Sequence, residues 1–273
     1  MEKKGKKGTR DYLMHNVRKI EDVKIKNPIL IEGLPGIGNV GKIAMDYMVD
    51  SLKPKKIFEI HSDGFPHAVF VNEQNLVDLP TIRIFHKKIK DKDFLFLAGD
   101  VQPIDEASCY EFCNKVLDIV QDMKVKEVIT LGGIGLQNVP ENPQVYCTGN
   151  SKQIIQKYKS PNLKCDIYGI VGPIMGVSGL LVGLAKYRDI PSIAMLAETF
   201  GHPTYVGIKG ARAILTVLDK KLKLGLDLAH LDVEIQQVDT EIKTKKEQIT
   251  KLQQQKRKDL QKTGKRPDTN YIG

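Results

Sequence analysis

Paired cysteine spacing is missing from this 273-residue chain. Its four cysteines stand at 109, 113, 147 and 165, so no disulfide framework is read, and a reducing cytoplasm is the expected compartment. Long apolar runs are missing too. The most apolar window, residues 174–185, holds twelve residues and three glycines, whereas a membrane span needs roughly 20 apolar residues. No membrane role is expected. The N-terminus, MEKKGKKGTRDY, has no apolar stretch behind its lysines and does not read as a secretory signal. There is no HExxH pair, and Cys109 and Cys113 share a helix face with no further ligand nearby to complete a zinc site. No metal and no cofactor are expected.

The domain body also lacks net charge. The chain carries +9, but residues 1–26 and 251–273 supply +5 each, and what lies between is balanced to −1. A folded nucleic-acid binder more often carries its basic face on the domain itself, interleaved with stacking aromatics. Specific nucleic-acid binding is therefore not expected.

What is present is an alternation of short apolar strands with helical periods. Strands are read at 28–31, 56–60, 68–71, 81–85, 94–97, 127–131, 168–171 and 192–196. Helices are read at 39–52, 105–123, 178–187 and 205–218. Continuous apolar strands between helices predict an α/β fold whose central sheet is covered by helices on both faces. The runs at 68–71 and 81–85 read as a hairpin, which makes the sheet mixed. Beyond Asp219 the pattern changes. Leu224, Leu228, Leu231, Ile235, Val238, Ile242, Ile249 and Leu252 fall at steps of four and three, with Lys245 in the one vacant place. This is a heptad seam of about four repeats. It predicts a helical arm over 219–262, with no Gly or Pro from 226 to 263, that meets a partner helix from another copy or from the body. The expected organisation is a basic segment 1–26, a core domain 27–218, the arm, and a flexible tail 263–273.

The richest local motif is Gly33-Leu-Pro-Gly36-Ile-Gly38-Asn-Val-Gly41-Lys42 between a strand and a helix. Gly36-x-Gly38-x-x-Gly41 fits a dinucleotide fingerprint, with Glu59 near the acidic ribose position. Gly36-x4-Gly41-Lys42 nearly spells a P-loop, but Ile43 removes the hydroxyl that holds Mg²⁺. Other strands end in turns such as Gly99-Asp100-Val-Gln102-Pro103 and Ala197-Glu198-Thr-Phe-Gly201-His202. If the strands are parallel these turns share one edge, where Asp100, Glu198 and His202 would converge as acid/base groups. The competing reading is structural: glycines for tight turns and close packing, carboxylates for helix caps.

Five motifs in order carry a resemblance. Gly33-Leu-Pro-Gly36-Ile-Gly38-Asn-Val-Gly41, Gly99-Asp-Val-Gln-Pro103, Thr130-Leu-Gly-Gly133, Gly176-Val-Ser-Gly-Leu-Leu181 and Glu198-Thr-Phe-Gly201 together resemble the archaeal proteasome assembly chaperone family over about residues 28–218. That resemblance implies a purine nucleoside phosphorylase-like fold without catalytic activity. It also implies homo-oligomers that bind the α subunits of the proteasome core particle. Binding of that kind resembles that of proteasome activators, whose C-terminal hydrophobic-Tyr-any motif enters pockets between α subunits. Here the matching residues are Tyr271, Ile272 and Gly273. Tyr271 stands third from the end rather than second, and Asn270 precedes it.

Besides a coiled-coil scaffold with tail-mediated nucleic-acid contact, two functions stay open on sequence alone. One is an ATP-independent proteasome chaperone or adaptor. The other is a nucleotide- or phosphate-binding enzyme or sensor using the Gly33–Gly41 loop and the Asp100/Glu198 edge.

Overall fold

The computed structural model describes residues 16–169, 171–237 and 240. The chain divides into two units, Met1–Asp227 and Leu228–Gly273. The first is a mixed α/β body whose elements run β1 (Asn16–Lys19), β2 (Ile29–Gly33), α1 (Val40–Leu52), β3 (Lys55–His61), β4 (Phe70–Val71), β5 (Val77–Asp78), β6 (Ile82–Ile89) and β7 (Lys92–Gly99). Then come α2 (Glu106–Asp122), β8 (Glu127–Leu136), β9 (Val145–Gly149), α3 (Lys152–Tyr158), α4 (Gly176–Lys186), β10 (Ser192–Phe200) and α5 (Ile208–Leu222).

Eight strands form one sheet in the order β1-β3-β6-β7-β2-β8-β10-β9. Four consecutive strands, β7, β2, β8 and β10, are parallel. The outer ones join antiparallel. Alternation along the strands divides the core between the two faces. Leu30, Leu95, Leu97, Ile82, Ile84 and Val128 pack with Phe112, Val116 and Leu117 of α2 and Leu181 of α4. The alternate residues Ile31, Phe94, Phe96 and Ile129 are fully buried on the opposite face, where α1 and α5 lie. Helix α2 begins where Asp105 accepts a hydrogen bond from the Ser108 amide at 3.0 Å, a side-chain cap for an otherwise unpaired donor.

The structure corrects several expectations. Segment 81–85 does not pair with 68–71. It belongs to β6, held between β3 and β7, while Phe70–Val71 forms a separate ribbon with Val77–Asp78. Of the run read as a strand at 168–171, Tyr168 and Val171 form only an isolated bridge. The segment 1–26 is not wholly an appendage, because β1 adds to the sheet edge beside β3. Asp219 is no boundary either: it lies inside α5, and its carboxylate accepts from the amides of Gly225 (2.7 Å) and Leu226 (3.1 Å) just past the helix end. The turn itself needs Lys223 at φ 59° and Gly225 at φ 78°, a left-handed conformation in which only glycine is unstrained.

Candidate functional site

Because β2, β7, β8 and β10 are parallel, their C-terminal ends and the loops that follow lie along one edge, as the motif reading required. A cleft of about 450 Å³ opens there, lined by residues 34–37, Gln102, residues 131–135, residues 171–176, Ser178 and Leu196. The expected glycine-rich turns therefore do converge. The charged residues do not.

Asp100 is held by Lys42 at 2.7 Å, and Lys42 also pairs with Asp46 at 2.7 Å. Burial opposes the Lys42 charge, but its hydrogen bonds to Asp100 and Asp46 outweigh that and raise its pKa. Burial in turn pushes the Asp46 carboxyl up, against the pull of Lys42. Glu198 accepts from the Gln144 amide (2.8 Å) and the Tyr146 hydroxyl (3.2 Å). His202 bonds to Thr204 at 2.9 Å. Strands β7 and β10 are three strand spacings apart, roughly 14 Å. Asp100 and Glu198 thus stand too far apart at their backbones to act as a pair on one bond.

The dinucleotide and P-loop readings also fail on geometry. Glu59 lies on β3, separated from β2 by β6 and β7, and faces Lys56 and Arg83. Residues 37–39 form a single 3-10 turn before α1, and the inner side of the loop is filled by neighbouring main chain. A Cβ at Gly41 would lie 2.4 Å from the Leu131 carbonyl oxygen, and one at Gly33 would lie 2.3 Å from that of Gly41. These glycines exist for helix-on-sheet packing rather than for cradling a phosphate. Gly36 is the exception: its nearest neighbour is the Gln102 amide at 4.0 Å.

Behind the cleft lies a group that the sequence reading passed over. Glu32, on β2, is fully buried. It accepts from the Ser178 hydroxyl at 2.9 Å and from the Leu34 amide at 3.1 Å. Burial raises its pKa to about 8, with the Ser178 and Leu34 bonds only partly offsetting this. At neutral pH it is mostly an uncharged acid tying β2 to α4. The signal was visible as a lone carboxylate in the run Pro28-Ile-Leu-Ile-Glu32. Gln102 makes a second tie. Its side-chain amide donates to the Pro35 carbonyl, and its oxygen accepts from the Val177 amide at 3.1 Å, joining the glycine loop to the start of α4. Among the described residues, no Asp, Glu, His, Lys or Arg lines the cleft. Its two polar side chains, Ser178 and Gln102, are already engaged.

Elsewhere an apolar surface stands open. In the β4–β5 ribbon Val71 is opposite Val77, and Val69 and Leu79 flank the two strands in sequence. All four are more than half exposed.

Of the expected oligomer seam, Leu224 lies in the first unit and is only 3 % exposed, because the chain turns at Lys223 and folds it into the body. Within the second unit residues 229–237 are helical, with Leu231 buried, Leu228 and Ile235 half-buried and Val233 exposed. Val238, Ile242, Lys245, Ile249, Leu252, Tyr271, Ile272 and Gly273 lie outside the described residues. Among the described residues no helix is long and apolar enough to cross a membrane, and no group of three His, Cys, Asp or Glu side chains is placed to hold a metal.

An eight-stranded mixed sheet between two helical layers, with a glycine-lined cleft at its parallel edge, defines the class of α/β protein. More particularly, the chain belongs to the PAC2 family, whose model matches residues 30–246. Among solved structures it is similar to Pyrococcus furiosus PbaB, an archaeal proteasome activator. The two are 31 % identical, the match covers 85 % of this chain and 98 % of that one, and the TM-score is 0.79. Pyrococcus furiosus PbaA, an archaeal homolog of proteasome-assembly chaperone, shares the fold at a TM-score of 0.72, with 23 % identity over 91 % and 99 % of the two chains. The uncharacterized protein MJ1210 of Methanocaldococcus jannaschii is 28 % identical over 94 % of this chain and 96 % of that protein.

Proposed function

We propose that this protein is a cytoplasmic, non-enzymatic proteasome chaperone or adaptor that binds the α-ring of the core particle through C-terminal tails displayed on a homo-oligomer. The observation that carries this reading is the 31 % identity to an archaeal proteasome activator across nearly the whole of that protein. Pyrococcus furiosus PbaA, an archaeal homolog of proteasome-assembly chaperone, has the same fold, which agrees with this reading. In this reading Tyr271, Ile272 and Gly273 are the anchor. The seam of Leu228, Ile235, Val238, Ile242, Ile249 and Leu252 is the coiled-coil contact between chains, on a purine nucleoside phosphorylase-like body. The exposed aliphatic face of the β4–β5 ribbon suits an interaction protein. Several tails on one assembly raise the effective local concentration, so that individually weak anchors hold together. No ATP is used.

The test compares the full-length chain with a 1–262 truncation for binding to cognate core particles, by native gel and interferometry. Binding that is lost on truncation supports the tail as anchor, and Tyr271→Ala should then weaken it. Binding retained by the truncation moves the interface to the body or arm. If neither form binds, core-particle docking is wrong. The nucleotide or phosphate reading is disfavoured by the filled loop and the ion-paired Lys42.

A further inference from the structure

Two of the four cysteines, 18 positions apart in sequence, are neighbours in space. Strand β9 ends the sheet, and its outer side is taken by the chain around Lys164. The Cys147 amide donates to the Lys164 carbonyl at 2.8 Å, the Lys164 amide donates to the Val145 carbonyl at 2.8 Å, and Tyr146 and Lys164 form a parallel bridge. One step further along this parallel register Cys147 stands abreast of Cys165. Residues so paired have Cα atoms about 4.8 Å apart, inside the window a disulfide spans. Their side chains leave the same face, and the two sulfurs are 2.8 Å apart. To join, the sulfurs need only close from 2.8 Å to the about 2.05 Å of a disulfide bond. Cys109 and Cys113, by contrast, are buried among the side chains of the α2–α4 layer.

We propose that Cys147 and Cys165 are a reversible dithiol–disulfide site, oxidised by low-molecular-weight disulfides. Access fixes the order of events. Cys165 is half-buried and reachable, whereas Cys147 is fully buried. The Cys165 thiolate attacks one sulfur of the small disulfide, forming a mixed disulfide and releasing one thiol. Burial and the neighbouring Cys165 raise the Cys147 pKa, so this thiol gives its proton to the departing sulfur as it attacks the Cys165 sulfur, releasing the second thiol. Two electrons pass from the protein to the reagent, and the two cysteine protons end on the two released thiols. The bond closes a loop around α3 and pins the segment that continues through Ile167 and Val171 to Ile174. Those three residues pack on Ile134, Tyr146 and Leu196, and Val171 and Ile174 line the cleft. Oxidation therefore fastens one wall of the cleft to the sheet edge.

The experiment incubates the full-length protein with oxidised glutathione or with a phosphine reductant, then counts thiols after denaturation and maps tryptic peptides. Two of four thiols should disappear, with the 147 and 165 peptides linked and the protein two hydrogens lighter. The thermal midpoint of the oxidised form should rise by about 5 °C. Cys165→Ser, at a half-buried position where folding should survive, should keep all of its three thiols and show no rise. Cys147→Ser should stop at a glutathione adduct on Cys165. Four surviving thiols in the wild type, a link between Cys109 and Cys113, a link between chains, or a lasting glutathione adduct on Cys165 of the wild type overturns the proposal.

Discussion

The hydroxyl of Ser178, in the first turn of α4, donates to the buried carboxyl of Glu32 on β2 at 2.9 Å. Glu32 titrates at about 8 in the folded protein, against an ordinary value of 4.5, because burial disfavours its charge. Between these values the folded chain holds a proton that the unfolded chain has lost. This contribution to stability is complete below pH 4.5, declines as pH rises, and is gone above about pH 8. The decline attributable to this group is about 1.4 kcal/mol per pH unit. Glu32→Gln copies the protonated shape without the titration. Denaturant unfolding from pH 5 to 9 should show a flatter profile for this variant and greater stability than wild type at pH 8.5. Parallel profiles for the two proteins would place the titration elsewhere.

The glycine loop makes a second prediction by contrast between neighbours. Gly41→Ala sets a methyl group 2.4 Å from the Leu131 carbonyl and should cost about 3 kcal/mol or more, since main chain cannot yield as a side chain does. Gly36→Ala meets only the Gln102 amide at 4.0 Å and should cost less than about 0.5 kcal/mol. Chemical denaturation of both variants checks this. Similar losses in the two would mean that the loop is not shaped by packing.

A third prediction concerns Glu127, buried where β8 begins. It accepts from the Tyr158 hydroxyl at 2.9 Å and from the Lys157 ammonium. Tyr158→Phe removes a donor from a buried acceptor without changing the packing, and should lower stability by about 1.5–2 kcal/mol at pH 7. Calorimetry of the variant measures it.

The exposed ribbon supplies the fourth. Val71→Asp with Val77→Asp replaces two aliphatic side chains that are 68 % and 66 % exposed. Two carboxylates set opposite one another repel, so stability of the isolated chain should fall by about 1 kcal/mol. If the ribbon is an interaction face, self-association measured by light scattering, or core-particle binding measured by interferometry, should fall at least tenfold. Unchanged association and binding would leave the ribbon as plain surface.

Much of the architecture was legible in the sequence because it rests on local pattern. Apolar runs such as Phe94-Leu-Phe-Leu97 are strands wherever they pair, and Asp105 before an amphipathic stretch marks a helix start in any context. The glycines of 33–41 are demanded by the packing of α1 on β2 and β8, while Gly99 lies against Ile82 and Gly179 against Ile174, and the order of these motifs pointed to the family. Strand partnership, by contrast, is a property of the whole sheet. Nothing local tells residues 82–89 to pair with β3 and β7 rather than with 68–71.

The candidate site divides the same way. Parallel strands ending in glycine turns determined that a cleft would form along one edge. Which groups face it was settled only by the order of the strands, since that order holds Asp100 and Glu198 three strands apart and gives each a partner of its own. The pKa of Glu32 depends on how deeply β2 is covered, and the meeting of Cys147 with Cys165 depends on a bridge between segments whose sequence spacing says nothing of it. Composition and periodicity fix what each segment prefers to be. Proximity, burial and charge compensation arise only when distant segments close on one another, and so belong to the tertiary structure alone.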